Sequence, residues 1–178
     1  MASRLADPVA RACAARGVEL PPLLRRFHDG RAQVWRGTAT VTRGRRWPVP
    51  LILRAAGFPP EGAEVETVIS VAPAGDGMVW ERRFGGHVTR SRLRDRAGRV
   101  EEGFGPFRLA LVPRAVAGGV ALEVAGLWLL GLPLPRLLWP RAEVSETGAD
   151  DALCFDIGAA LPGLGLLIRY RGRVTPAD

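Results

Sequence analysis

From Gln33 onward apolar and polar side chains alternate in twos. Gln33 to Arg43 sets Trp35, Ala39 and Val41 on one side against Arg36, Thr38, Thr40 and Thr42 on the other, the period of a strand with one buried face. Glu64 to Val71 and Met78 to Phe84 repeat the pattern, and Ala74-Gly75-Asp76-Gly77 joins them as a hairpin turn. Val88 to Arg94, Phe104 to Val112, Val120 to Leu129, Ala142 to Thr147, Leu153 to Ala159 and Leu166 to Val174 continue the series. Helical signal is confined to the first third: Pro8 opens a helix through Arg16, Pro21-Pro22 opens a short one through Phe27, and Pro48 to Phe58 ends at Gly57 ahead of Pro59-Pro60. About nine strands, joined by short turns without helices from Glu64 onward, predict a mainly β fold. The expected architecture is a curved antiparallel up-and-down sheet, closed or half-closed into a barrel, with short N-terminal helices.

The length of 178 residues fits one domain, with a helical segment over 1–30 and the sheet over 31–178. With 47% hydrophobic and 24% charged residues, a disordered chain and a disulfide scaffold are both excluded. All 25 basic residues are Arg, and there is neither Lys nor Asn. A lysine Schiff base and a P-loop lysine therefore lose their essential residue. The net charge of +7 pulls toward anions, although Arg without Lys beside abundant Ala, Gly, Pro and Leu reads as a coding bias. Met1 to Leu20 never presents the apolar core of a secretory signal, and Cys13 and Cys154 read as reduced thiols, so a bacterial cytoplasmic location is expected. The apolar stretch Gly126 to Pro140 contains Arg136 and three prolines, too interrupted to span a bilayer as a helix.

Candidate chemistry is sparse. Serines stand only at 3, 70, 91 and 145 and histidines only at 28 and 87. His87 and Ser91 share a strand face but lie ~13 Å apart along it, too far to exchange a proton. His28, beside Asp29, reads as a helix-end residue. No metal-ligand spacing and no dinucleotide-binding glycine motif is present, so neither a metal nor a cofactor is expected. Glu101-Glu102 and Asp150-Asp151 are adjacent pairs whose side chains point opposite ways in a strand, and they read as solvated turns. Arg90, Arg92, Arg94 and Arg96 alternate along one strand, and Arg169, Arg171 and Arg173 along the last. The plain reading of both rows is a solvated outer face. Arg82 differs, because it falls on the side of Trp80 and Phe84; if that side is interior, its charge must meet a Glu or a bound anion.

Several motifs are shared with a known family: Leu20-Pro-Pro-Leu-Leu-Arg-Arg-Phe-His28, Trp80-Glu-Arg-Arg-Phe-Gly85 followed by Ser91, Glu102-Gly-Phe-Gly-Pro106, Gly131-Leu-Pro-Leu-Pro-Arg136 with Pro140, and Arg169-Tyr-Arg-Gly172. On these the chain resembles the bacterial domain of unknown function 4166, over most of its length. Members of that family look like stand-alone proteins or C-terminal appendages of nucleotide-dependent oxidoreductase domains. The resemblance implies a ligand-holding or accessory role and no established activity.

The leading expectation is a non-enzymatic domain whose sheet concavity holds a hydrophobic or lipid-like ligand. Trp80, Phe84, Phe107, Leu109, Leu122, Trp128, Phe155 and Tyr170 would line it, and Arg82 would meet an acidic head group. The alternatives are an enzyme or enzyme-accessory domain using His28, His87, Glu102 or Ser91, and a protein-interaction module acting through the Trp- and Pro-rich loops. Those segments, Trp47 to Phe58, Leu127 to Trp139 and Ile157 to Ile168, are also candidates for a lid, a peripheral membrane contact or a homodimer interface. Nucleic acid is disfavoured, since no aromatic side chains interleave with the Arg rows.

Overall fold

The computed structural model describes residues 7–177; Met1 to Ala6, and with them the start of the stretch read for an export signal, lie outside the described residues. In chain order the elements are α1 (Pro8–Ala15), α2 (Pro22–Phe27), β1 (Gln33–Arg43), α3 (Val49–Ala56), β2 (Gly62–Ala74), β3 (Gly77–Phe84), β4 (His87–Asp95) and β5 (Val100–Phe104). There follow β6 (Phe107–Val116), β7 (Gly119–Leu129), β8 (Leu132–Pro133), a 3-10 turn at Arg136–Leu138, β9 (Arg141–Ala149), β10 (Ala152–Leu161) and β11 (Gly165–Pro176).

Neighbours in sequence are neighbours in the sheet, all antiparallel, from β1 through β7, then β9, β10 and β11, which returns to β1. The result is a closed barrel of ten strands, with the two-residue β8 appended to the end of β7. Closure removes the unpaired strand edges that an open sheet of this length would expose. Ten strands also set the bore. Eight give an interior just wide enough for side chains to fill, so a wider barrel needs unusually large inward residues or stays hollow.

The mainly β fold read from the alternation is thus the observed one, with two differences of detail. The run expected as one strand from Phe104 is two strands, because Gly105-Pro106 turns the chain between Phe104 and Phe107, with Gly105 at φ +50°. The pair Glu101-Glu102 consequently lies in β5 and not in a solvated turn.

The meander places loops alternately at the two ends of the barrel. One end is closed by α1 and α2. Asp7 caps α1, its Oδ1 accepting from the backbone N–H groups of Val9 (2.7 Å) and Ala10 (3.1 Å), with Pro8 preset for the first turn. Arg16 ties the helix to the β4–β5 turn by donating to the carbonyl of Gly98 at 2.8 Å. Phe27, at the end of α2, enters the barrel and packs edge-on against Trp35 and Trp80, both at 5.2 Å between ring centres. The other end carries the β1–α3–β2 connection, the β3–β4, β5–β6 and β10–β11 turns and residues 130–140. There α3 spans the opening: Arg46 donates to the carbonyl of Gly163, and Nε2 of His87 lies 3.0 Å from the carbonyl of Gly57, where α3 stops in a left-handed turn.

Candidate functional site

The inward positions do not fill the barrel evenly. Against β1 and β2 the interior is solid: Phe84 and Phe155 pack edge-on against Tyr170 at 5.4 and 6.4 Å, leaving about 10 Å³ among them. Gly172 makes room for this, since any side chain there would collide with the Phe155 ring. Against β3 to β7 and β9 to β11 a chamber of about 360 Å³ remains. Its walls are Leu, Ile, Val, Ala and Phe, and it reaches the α3 end through Ile52, Ala56, Phe58, Leu134 and Leu138.

A polar patch interrupts this lining at mid-depth. Arg82 on β3, Ser91 on β4 and Glu102 on β5 sit side by side on adjacent strands and point inward. Nη1 of Arg82 donates to the Ser91 hydroxyl at 3.0 Å, and both terminal nitrogens reach Oε1 of Glu102 at 3.3 Å. The guanidinium also lies 4.9 Å above the Trp80 ring. Burial disfavours the charged guanidinium, but Glu102, Tyr170 and Glu146 outweigh that and hold its pKa above the ordinary value. Burial, against the pull of Arg82, pushes the Tyr170 phenol up to about 12, so it stays neutral and able to donate. The indole N–H of Trp80 is buried and finds no protein acceptor, an orphan donor in the chamber wall.

A second polar group adjoins the first. His28 is wholly buried between Asp7 and Glu146, with Nε2 2.7 Å from Oε2 of Glu146. Its Nδ1 lies 3.0 Å from Oδ2 of Asp7, within ion-pair distance but off the line of an aligned hydrogen bond. Burial alone would lower the imidazole pKa; the two carboxylates more than reverse this and raise it to about 10. His28 does stand at the end of α2, as read from the sequence, and its side chain is a buried imidazolium clamped between two acids.

Of the residues expected to line a concavity, Trp80, Arg82, Phe107, Leu109, Leu122 and Tyr170 face the chamber. Phe84 and Phe155 face inward but belong to the packed side, where no guest fits. Trp128 is a correction: it lies on the outer face of β7, its ring 4.5 Å from the Arg108 guanidinium, because Ala125, unpaired opposite the step from Ala110 to Leu111, shifts the phase of β7 and turns Leu127 and Leu129 inward instead. Sequence reasoning did not place Glu102 and Ser91 around Arg82, nor Glu146 and Asp7 around His28. Inward phase on strands β4, β5 and β9 was a usable signal for Ser91, Glu102 and Glu146; nothing local marks Asp7. Of the four side chains considered for an enzyme, Ser91 and Glu102 meet on Arg82, while His28 lies with Asp7 and Glu146 and His87 sits at the rim. The Arg rows face outward and meet acids on neighbouring strands and turns, Arg90 with Glu81 at 2.7 Å, Arg94 with Asp76 of the β2–β3 turn at 3.0 Å, and Arg169 and Arg171 with Asp156 at 2.7 and 2.9 Å. Among the described residues no cluster of His, Cys, Asp or Glu is suited to a metal ion, and no helix is long and apolar enough to cross a membrane.

The architecture defines the class: a closed antiparallel β-barrel with an apolar chamber and a buried set of ion pairs. The chain belongs to the family described as a domain of unknown function (DUF4166), whose model matches residues 20–174. The crystal structure of Rv2717c from M. tuberculosis is similar at 14% identity and a TM-score of 0.46, over 90% of this chain and 100% of that one. Comparison with the curated proteins gave no match.

Proposed function

We propose that the barrel is a binding domain that holds one hydrophobic, lipid-like molecule, with its apolar body in the chamber and its polar end at Arg82, Ser91, Glu102 and Tyr170. The observation that carries this reading is the chamber itself. A volume of about 360 Å³ lies in the range of small-molecule sites, and the lining is apolar except for convergent polar groups at one level. A barrel that only needed stability would gain by filling that space, since voids cost packing energy.

Arg82 alone points to an acidic end group. Its pairing with Glu102 shifts the expectation to an end that both accepts and donates, an alcohol or a carboxylic acid sharing the guanidinium with Glu102. The orphan indole N–H of Trp80 is a further donor for such a group.

The test is a series of straight-chain acids and alcohols of increasing length, measured by displacement of a fluorescent chain and by native mass spectrometry. Each added methylene is expected to tighten binding by ~0.8 kcal/mol, roughly fourfold, until the chamber is full, after which affinity levels off. Affinity that is negligible at every length, with no lipid retained by the purified protein, overturns the proposal.

A further inference from the structure

Six large hydrophobic side chains stand out as the most exposed in the described chain, and all belong to one end of the barrel. Trp47 (81% exposed) and Leu51 (59%) lie on the β1–α3 connection and α3, Leu130 (79%) and Leu132 (70%) on the β7–β8 hairpin, and Leu137 (75%) and Leu138 (48%) on the 3-10 turn. This is the end at which the chamber approaches the surface, and Leu138 belongs both to the rim and to the chamber lining. A set of exposed apolar side chains gathered at one end of the barrel in this way marks an interaction site.

Leu130 shows that fold stability does not account for the choice of residue. The β7–β8 turn holds Leu130 at φ +51° and Gly131 at φ +84°, a two-residue hairpin geometry that favours Asn, Asp or Gly at both places. A leucine there accepts a left-handed backbone and also presents its side chain to water. The loops of the same end carry the exposed arginines Arg45, Arg46, Arg54 and Arg136 and a single acid, Glu61.

We infer that this end is a membrane-docking face, and that its partner is the surface of a bilayer containing anionic lipid. Glu61 pairs with Arg45 at 3.3 Å, which leaves Arg46, Arg54 and Arg136 in excess of acids on these loops. Apolar loop tips and a tryptophan beside this net positive charge complement a surface with negative head groups above hydrocarbon. A second copy of the chain would bring the same arginines face to face. The inference extends the ligand-binding reading, because a mouth seated on lipid lets an insoluble guest pass between bilayer and chamber without crossing water. The docking face and the chamber are nonetheless separable by experiment.

The test is co-sedimentation of the full chain with phosphatidylglycerol–phosphatidylcholine vesicles and with phosphatidylcholine vesicles alone. The expected result is binding to the anionic vesicles, weak binding to the neutral ones, and a marked loss as salt rises from about 0.05 to about 0.5 M. Arg54→Gln and Arg136→Gln each weaken partitioning by about fivefold. Leu132→Glu combined with Leu137→Glu abolishes it, while the thermal transition stays in place because these side chains are exposed. Absence of binding to anionic vesicles overturns the inference, as does binding that none of these variants changes. Concentration-dependent dimerisation abolished by the leucine pair, without vesicle binding, assigns the face to a second copy and also overturns it. If vesicles bind but the acid and alcohol series does not, the chamber reading falls and the docking face stands.

Discussion

Nε2 of His28 lies 2.7 Å from Oε2 of Glu146, although the two residues are 118 positions apart. The contact fastens the end of α2 to β9 inside the barrel, and Asp7 completes it from the start of α1. Removing the imidazolium leaves two carboxylates buried together without a counter-charge. His28→Asn is therefore expected to cost ~3 to 5 kcal/mol, read as a lowered urea midpoint at unchanged slope.

The same clamp gives a pH dependence of known sign. The folded-state pKa of His28 is raised from 6.5 to about 10, so the folded protein holds that proton more tightly than the unfolded chain. Its contribution is fully present below about pH 6.5 and is lost as pH rises through about 10. The stability difference between the native protein and His28→Asn should shrink across that alkaline window, measured by urea unfolding at a series of pH values. A difference that is flat, or that grows with pH, contradicts the assignment.

Arg82 and Glu102 are a largely buried pair, their side chains 12% and 16% exposed, and each depends on the other for its partner. Arg82→Met alone strands Glu102 and is expected to cost ~3 to 5 kcal/mol, and Glu102→Leu alone strands Arg82 at a similar cost. The double variant should recover most of the loss, since an apolar pair of similar volume leaves no buried charge behind. It should also lose discrimination between ligands with and without a polar end. A double-mutant cycle on stability, with the binding series repeated, checks both.

Ala159 faces the chamber. Enlarging it normally overpacks a core, but here the added methylenes enter open space. Ala159→Leu is expected to stabilise the protein by ~0.5 to 2 kcal/mol, seen as a higher melting temperature, and to shorten the longest chain that binds.

Trp128 is expected to matter little to binding. Its ring lies on the outer face against Arg108, so Trp128→Ala should leave ligand affinity unchanged and cost ~0.5 to 1 kcal/mol for the cation–π contact, plus the area the ring covers. A loss of affinity would mean that the wall of β7 is turned the other way.

How much could be read beforehand differs from residue to residue. The inward phase of Trp80, Arg82 and Phe84 followed from alternation alone, and Arg82 could be marked as a charge needing a partner. Trp128 was misplaced for the same reason that the others were placed correctly: one extra residue on β7, Ala125, opposite the step from Ala110 to Leu111, shifts the phase of that strand, and local pattern does not reveal it. His28 beside Asp29 looked like an ordinary helix end, because its real neighbours come from Asp7 and from β9.

The order of residues along this chain determined the strands, their turns and which side chains share a face, because those depend on a two-residue period and on glycine and proline at the bends. The barrel's closure through β1 and β11, the gathering of Arg82 with Glu102 and of His28 with Glu146, and the division of the interior into a packed side and a chamber were decided only by the tertiary structure. Those features depend on how many strands set the bore and on which distant side chains meet across it, and neither quantity is local to any segment.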